Sequence, residues 1–395
     1  MRRRTVRRRR RPSAVVDAFA LALAGSGLGM AVVNARHVHP LRAPTHPVTG
    51  PVVVLVPARD EAEVIADVVA DLRAQRGVAD LRVLIYDDES GDGTAEVARR
   101  AIDGDDRVVV IDGALTPKSP GWTGKAWGLH RLTAELSDDA PDTRVCLVDA
   151  DVRLAPDAIA AAVAVFDSLT DAPGPPPGLL SVWPAQIVGS TLERMVQPLL
   201  FWSWFSMLPQ AITEQQLRTS TAVANGQFLT TRLGVYRDVG GHRSVAAEPA
   251  DDIALARVFR RAGMRTVNRS GGHLVRCRMY RSGADLRGGY RRWTATEFGG
   301  ARGSWAVVAA LLVGHVGPVA RTVLGPRRTP ATLALTMGAV GRIIARRVET
   351  DSLAPSDVID AMAHPVSMAA AAALIADSAV HTRAGRLEWK GRSIS

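Results

Sequence analysis

The sequence predicts an α/β protein built on a Rossmann-like, mostly parallel sheet, with a membrane-associated N-terminal segment and a helical C-terminal region. Three observations carry this. Short apolar runs alternate with helix-spaced stretches between residues 51 and 148. In that half, the acid clusters Asp60-Glu61, Asp87-Asp88-Glu89 and Asp149-Ala150-Asp151 each follow an apolar run. After residue 300 the chain turns apolar and carries no acid until Glu349.

The elements follow in order. Residues 18–33 are apolar for about 16 residues, short of the ~20 that a spanning helix needs. Gly25, Gly27 and Gly29 weaken them as a helix. No small-x-small cleavage site follows, so a signal peptide is not expected. A hairpin or interfacial anchor is expected instead. Eight arginines precede this segment, and on a single span they would hold the N-terminus inside and place the next domain outside. Pro40, Pro44 and Pro47 mark a linker. Strands are predicted at residues 51–56, 81–86, 107–111 and 143–148, and helices at 60–74, 93–101 and 125–136. Ligands of such sheets bind beyond the carboxyl ends of the strands. Residues 171–178 read as a loop. Residues 191–208 carry Phe201, Trp202, Trp204 and Phe205 and suit either a core helix or, with slight preference, an interfacial one. Apolar stretches at 306–313, 331–340 and 366–375 are split by Pro, Gly and Arg. They suggest a membrane-packed helical tail in which no stretch alone makes a clean span.

Composition removes several function classes. The net charge of +10 comes almost wholly from arginine, since Lys118, Lys125 and Lys390 are the only lysines. The block MRRRTVRRRRR lacks interleaved aromatics and any nucleic-acid-reading motif, so no nucleic-acid partner is expected. Its apolar continuation points to a membrane surface. Two cysteines, Cys146 and Cys277, cannot build a disulfide framework. Zinc spacing, a Walker A loop and a G-x-S-x-G elbow are all missing.

The chemistry gathers in four places. Asp149 and Asp151 crowd two carboxylates after a strand, which suits Mn²⁺ or Mg²⁺ shared with substrate phosphates; the plainer reading is a solvated acidic turn. Asp87 and Asp88 end another strand, where an acid could accept from a base N–H or a ribose hydroxyl. Asp92 and Thr94 suit helix capping. Lys125, in GWTGKAWG, stands at a loop-to-helix junction fit for a phosphate. Asp251 and Asp252 open a helix, either as first-turn acids or with one of them as a general base. A lone His242 reads as structural or solvated.

Together PARDE (57–61), YDDESGDGT (86–94), DAD (149–151) and DDIALAR (251–257) resemble family 2 glycosyltransferases of the GT-A fold, in order and spacing, over about residues 50–300. GWTGKAWG, NGQF, GGH and WKGR (389–392) are similar to a membrane-associated branch that includes carotenoid and other lipid glycosyltransferases. The resemblance implies a basic tail and anchor at 1–48, a GT-A catalytic domain at 49–300 and a membrane-associated tail at 301–395. It implies that Pro57 and Ala58 line the base pocket and that Asp88 contacts the base. Asp149 would lie near ribose and metal, Asp151 would ligate the metal, and Asp252 would be the catalytic base. The family's usual Glu-Asp pair is here Asp251-Asp252. Processive relatives carry Gln-x-x-Arg-Trp; residues 289–293 are GYRRW, without the glutamine, which implies a single sugar transfer. The expectation is an inverting, metal-dependent transfer from a nucleotide sugar, UDP-linked, to a lipid or isoprenoid acceptor at the cytoplasmic face of the cell membrane. A polyprenyl phosphate or cell-wall glycan acceptor is the same-class alternative. A nucleotidyltransferase and a non-catalytic membrane scaffold are the other-class alternatives.

Overall fold

The computed structural model describes residues 12–324, 328–383, 388–389 and 392–393. The basic block at residues 1–11, Lys390 and Gly391 lie outside the described residues.

The chain begins with α1 (Pro12–Asn34) and continues β1 (Val48–Ala58), α2 (Ile65–Arg73), β2 (Val78–Asp87), α3 (Thr94–Ile102), β3 (Val108–Asp112), α4 (Gly124–Ala134) and β4 (Arg144–Val148). This is the predicted alternation, with ends shifted by a few residues. The largest shift is α2, which starts at Ile65 because residues 59–64 form the loop after β1. Then come β5 (Val152–Leu154), α5 (Ala158–Ser168), β6 (Pro177–Trp183), β7 (Ala185–Gln186), α6 (Thr191–Val196), α7 (Pro198–Met207), α8 (Gln210–Thr213), β8 (Phe228–Arg232), α9 (Leu233–Asp238), α10 (Asp251–Arg261), β9 (Arg265–Ser270) and β10 (Val275–Cys277). The seven-stranded sheet has the order β3-β2-β1-β4-β8-β6-β9. Its β1–β4 are mutually parallel, and β8 runs antiparallel to both β4 and β6.

Alternation along β1 builds two cores. Val52, Val54 and Val56 face α2 and α5, whereas Val53 and Leu55 face α4 and α10. Helices on both faces explain why this strand is apolar throughout. A small sheet, β5-β10-β7, follows the end of β4 and frames the acidic turn.

The remaining helices are α11 (Gly283–Glu297), α12 (Gly300–Leu311), a π-turn at Leu312–Val316, α13 (Gly317–Leu324), α14 (Arg328–Thr350), α15 (Pro355–Met362) and α16 (His364–Arg383). Among the described residues two helices are long and apolar enough to cross a membrane, Ala14–Asn34 and Gly300–Leu324. A third follows if the pair α15 and α16, bent by 67°, counts as one span.

Three expectations are corrected here. The N-terminal apolar segment is one continuous 23-residue helix, not a hairpin. Its glycines do not break it, because α1 packs along α7 and α14: a Cβ on Gly27 would sit in ordinary contact, 3.8 Å from Ser206 of α7, one on Gly25 3.8 Å from Met337 of α14, and Gly29 faces open space. Small residues let packed apolar helices approach. The stretch at 306–313, read as no clean span, belongs to a 25-residue apolar helix that the π-turn carries through His315. The aromatic segment is a core helix rather than an interfacial one: Phe201, Trp202, Trp204 and Phe205 are all buried, in a cluster with Ala31 of α1 and Ala345 of α14.

Candidate active site

The loops after β1 and β2 are laced together. Asp60 Oδ1 accepts from the Gly91 amide, Ser90 Oγ from the Asp60 amide, Thr94 Oγ1 from the Glu61 amide and Asp92 Oδ2 from the Ala62 amide, all at 2.8–2.9 Å. Asp92 Oδ1 also accepts from the Thr94 amide at 3.0 Å, but the N-cap of α3 is Gly93 with no side-chain cap, so the pair laces the two loops together rather than capping the helix. Asp60 (φ 51°) and Glu89 (φ 55°) are left-handed, each two residues past its strand. Strain of this kind persists where the surroundings over-determine it. Ala58 and Asp87 are register partners, and the Asp88 amide donates to the Ala58 carbonyl at 2.8 Å. Asp88 is buried, and Arg59 donates to its carbonyl and to its carboxylate. Pro57, Ala58 and Asp88 thus share the carboxyl edge of β1 and β2.

One strand over, β4 ends at Val148 and leads into Asp149-Ala150-Asp151. The Asp149 amide donates to the Gln227 carbonyl at 3.0 Å, tying the turn to the NGQF loop before β8. Lys125 sits in the first turn of α4, whose Thr123 cap accepts from the Ala126 amide. Its ammonium lies 2.6 Å from Asp149 Oδ1 and donates to the Gly226 carbonyl at 3.0 Å. The Gly226 amide donates to Asp252 Oδ2 at 2.8 Å. Gly226 therefore bridges the lysine and the first turn of α10. A Cβ there would meet Lys125 Nζ at 2.9 Å and Asp252 Cβ at 3.1 Å, so a larger residue would displace the ammonium and crowd the start of α10.

Asp251 and Asp252 are adjacent but held differently. His242 Nε2 lies 3.2 Å from Asp251 Oδ2, and its Nδ1 is hydrogen-bonded to the Tyr236 hydroxyl, which also accepts from the His242 amide. His242 is buried and ties α9 to α10. Burial opposes the charge on Asp251, but Lys125 and His242 outweigh it and hold the carboxyl at about 2. Burial and then the Asp251 charge push Asp252 up to about 6, against the pull of Lys125. Two neighbouring acids are thereby split into a permanent carboxylate and one poised near neutrality.

The acidic turn is similarly unequal. Burial, then Asp149, then Glu61 push Asp151 up to about 7, and its Oδ1 is buried without a partner. Asp149 is raised by burial despite Lys125. These hard oxygens, one of them orphaned, fit a divalent cation. Among the described residues no group of three or more His, Cys, Asp or Glu is arranged around a metal. Two carboxylates fit an ion that takes its other ligands from diphosphate and water. Side-chain exposures of 26% for both Lys125 and Asp149 make this a cleft open to a ligand.

The structure also adds residues that no motif announced. Burial, then the charge of Asp151, raises the Cys277 thiol well above its ordinary value, and Gln227 Nε2 contacts its sulfur at 2.8 Å. Cys277 lies 126 positions beyond Asp151, and no local signal links them.

A family-wide sequence description, "Glycosyltransferase like family 2", matches residues 49–276, more than half of the chain. The chain belongs to this glycosyltransferase family. As a family 2 member it carries the GT-A architecture, a mixed sheet whose acids collect at the carboxyl ends of β1, β2 and β4. No curated protein matches the sequence. Among solved structures, the mannosyltransferase PcManGT from Pyrobaculum calidifontis in complex with GDP-Man and Mn²⁺ is 19% identical with a TM-score of 0.46, covering 91% of this chain and 98% of its own. Glucosyl-3-phosphoglycerate synthase from Mycobacterium tuberculosis, in complex with Mn²⁺, UDP and phosphoglyceric acid, is 18% identical with a TM-score of 0.38, covering 62% and 81%. S. aureus TarS 1–349 with UDP-GlcNAc is 14% identical with a TM-score of 0.40, covering 85% and 93%.

Proposed function

We propose that this family 2 glycosyltransferase moves one sugar, with inversion, from a nucleoside-diphosphate sugar to a hydroxyl of a lipid or isoprenoid acceptor at the membrane. The observation that carries the reading is the convergence of Asp149, Lys125, Gly226 and Asp252 from four separate segments into one contact chain. Pro57, Ala58 and Asp88 stand one strand away, where a base would lie. Asp149 and Asp151 would hold the divalent cation, which when bound neutralises the diphosphate leaving group. Lys125 adds a fixed positive charge beside Asp149, next to the same phosphates. Asp252, ionised above about pH 6, takes the proton of the acceptor hydroxyl as that oxygen attacks the anomeric carbon. Asp251, charged throughout and anchored to His242, keeps the first turn of α10 in place.

The lipid part rests on α1 and on α12–α13, both apolar enough to lie in a bilayer, packed with the catalytic unit through α7 and α14. The donor argues for a catalytic unit facing the cytoplasm, the side opposite to the one that the arginines before α1 would set if α1 alone crossed the bilayer. The missing glutamine in GYRRW supports one transfer rather than polymerisation.

Calorimetry on the detergent-purified protein, with UDP, GDP and their sugars, with and without Mn²⁺, tests the donor half. Tight binding of one nucleotide only with metal is expected. A folded sample that binds none overturns the reading.

A further inference from the structure

The membrane helices contain a polar group that the transfer reaction does not use. His315 sits in the π-turn that interrupts the Gly300–Leu324 helix. It is 5% exposed. Its Nδ1 is hydrogen-bonded to His364 Nε2 at 3.2 Å, and its Nε2 has no partner among the described residues. Ionisable residues in apolar spans are costly and mark function, and π-turns concentrate at functional sites.

His315 lines a cavity of about 170 Å³ between α1, α7, α14 and the π-turn. The other walls include Leu23, Met30, Met207 and Met337. Methionine suits an apolar guest of irregular shape. Gly27, Gly338 and Gly341 also line the space, and larger side chains there would fill it. A dry apolar cavity of about 150 Å³ accepts a benzene-sized guest, so this one admits a stretch of hydrocarbon chain. Wholly apolar contents would leave His315 Nε2 unsatisfied, which is unfavourable. Ser206 Oγ, which lines the same space, is also buried without a partner among the described residues, so the guest that suits these walls is a hydrocarbon bearing a hydrogen-bonding oxygen.

We propose that this cavity binds a membrane-dissolved isoprenoid or fatty alcohol, with its chain among the leucine and methionines and its oxygen on His315 Nε2. The inference deepens the lipid-acceptor reading and rests on it for the ligand class.

Trp202 also lines the cavity, which supplies an optical test. A brominated isoprenoid alcohol is titrated into the full chain in detergent, without donor, while tryptophan fluorescence is followed. The Trp202→Phe variant identifies the share of quenching that comes from this ring. Saturable quenching is expected in the wild type. It should weaken about tenfold in His315→Phe, the loss of one hydrogen bond. A brominated hydrocarbon lacking the hydroxyl should bind wild type and His315→Phe alike. Gly27→Leu, whose Cβ has ordinary contacts at 3.8 Å and 4.0 Å, keeps His315 and fills the space. It should abolish saturable quenching while helical content and elution volume stay unchanged. Non-saturable quenching, equal binding of alcohol and hydrocarbon to the wild type, or an unchanged curve in Gly27→Leu overturns the proposal. Asp252→Asn should quench like the wild type. Transfer confined to water-soluble acceptors would sink the lipid-acceptor reading, whereas the cavity stands or falls by the quenching alone.

Discussion

At the residue scale, each carboxylate's surroundings decide its task. Asp252→Asn keeps the shape and one of the two backbone hydrogen bonds, from the Gly226 and Ile253 amides, because its NH2 group cannot accept the other, and it cannot take a proton. Transfer should fall by roughly 10²–10⁴-fold, with donor affinity within a few-fold by calorimetry. Transfer near the wild-type rate removes Asp252 as the base. Because Asp252 must be ionised, kcat/KM should decline about tenfold per pH unit below about pH 6. Stability has the opposite dependence. Asp151 at about 7 and Asp252 at about 6 both lie above the ordinary 3.8, so the folded state binds more protons than the unfolded one between those limits. The metal-free protein should therefore lose stability as pH rises from about 4 to 7. Asp251, held at about 2, works in the other direction, but only below the ordinary value. Thermal melts across that range check the sign. Asp151→Asn should flatten part of the slope and remove the Mn²⁺ dependence of donor binding. Metal dependence as strong as the wild type's in that variant would count against Asp151 as a ligand.

At the element scale, the site depends on where strand and helix ends meet. The NGQF loop touches three of them: the turn after β4 through Gln227, the start of α4 through Lys125 and the start of α10 through Asp252. Gly226→Ala adds one methyl group that Lys125 Nζ, at 2.9 Å, and Asp252 Cβ, at 3.1 Å, admit only by moving. Displacing either by a fraction of an ångström should lower transfer on the order of 10²-fold. Far-ultraviolet circular dichroism should stay unchanged, because the loop carries no regular structure. Full activity in this variant would show that the Lys125–Gly226–Asp252 contact is dispensable.

At the scale of the whole molecule, the membrane helices and the catalytic unit are one packed body. Asn34, at the end of α1, donates to the Phe205 and Leu208 carbonyls at 2.7 and 2.8 Å. At the other end, Asp17 is paired with Arg321 of α13. Glu349 of α14 accepts from the Gln186 amide, and Gln186 Nε2 reaches Gln227 in the site loop. Helix α1 is thus a structural element of the packed body. Deleting residues 12–34 would uncover the aromatic face of α7. The truncated protein should aggregate even in detergent, by size-exclusion chromatography, where the full chain runs as one species. A monodisperse, active truncation would show that α1 is only a tether.

Much of this was legible beforehand for a physical reason. A strand that ends in acids, and a helix that begins with them, write backbone and side-chain chemistry into neighbouring positions. That was enough to predict the alternating elements, the acid-lined sheet edge and the family. Three things were not local. The buried state of Phe201, Trp202, Trp204 and Phe205 depends on α1 and α14, which lie more than 100 positions away on either side. The unequal behaviour of Asp251 and Asp252 depends on His242 and Lys125, because the electrostatics of a carboxyl follow its spatial neighbours. The continuity of α1 depends on its packing against α7 and α14, which helix propensity alone does not count. The sequence by itself determined the elements and the chemistry available at their ends; only the tertiary structure decided which groups meet and which of them hold charge, since distance and burial through the fold set both.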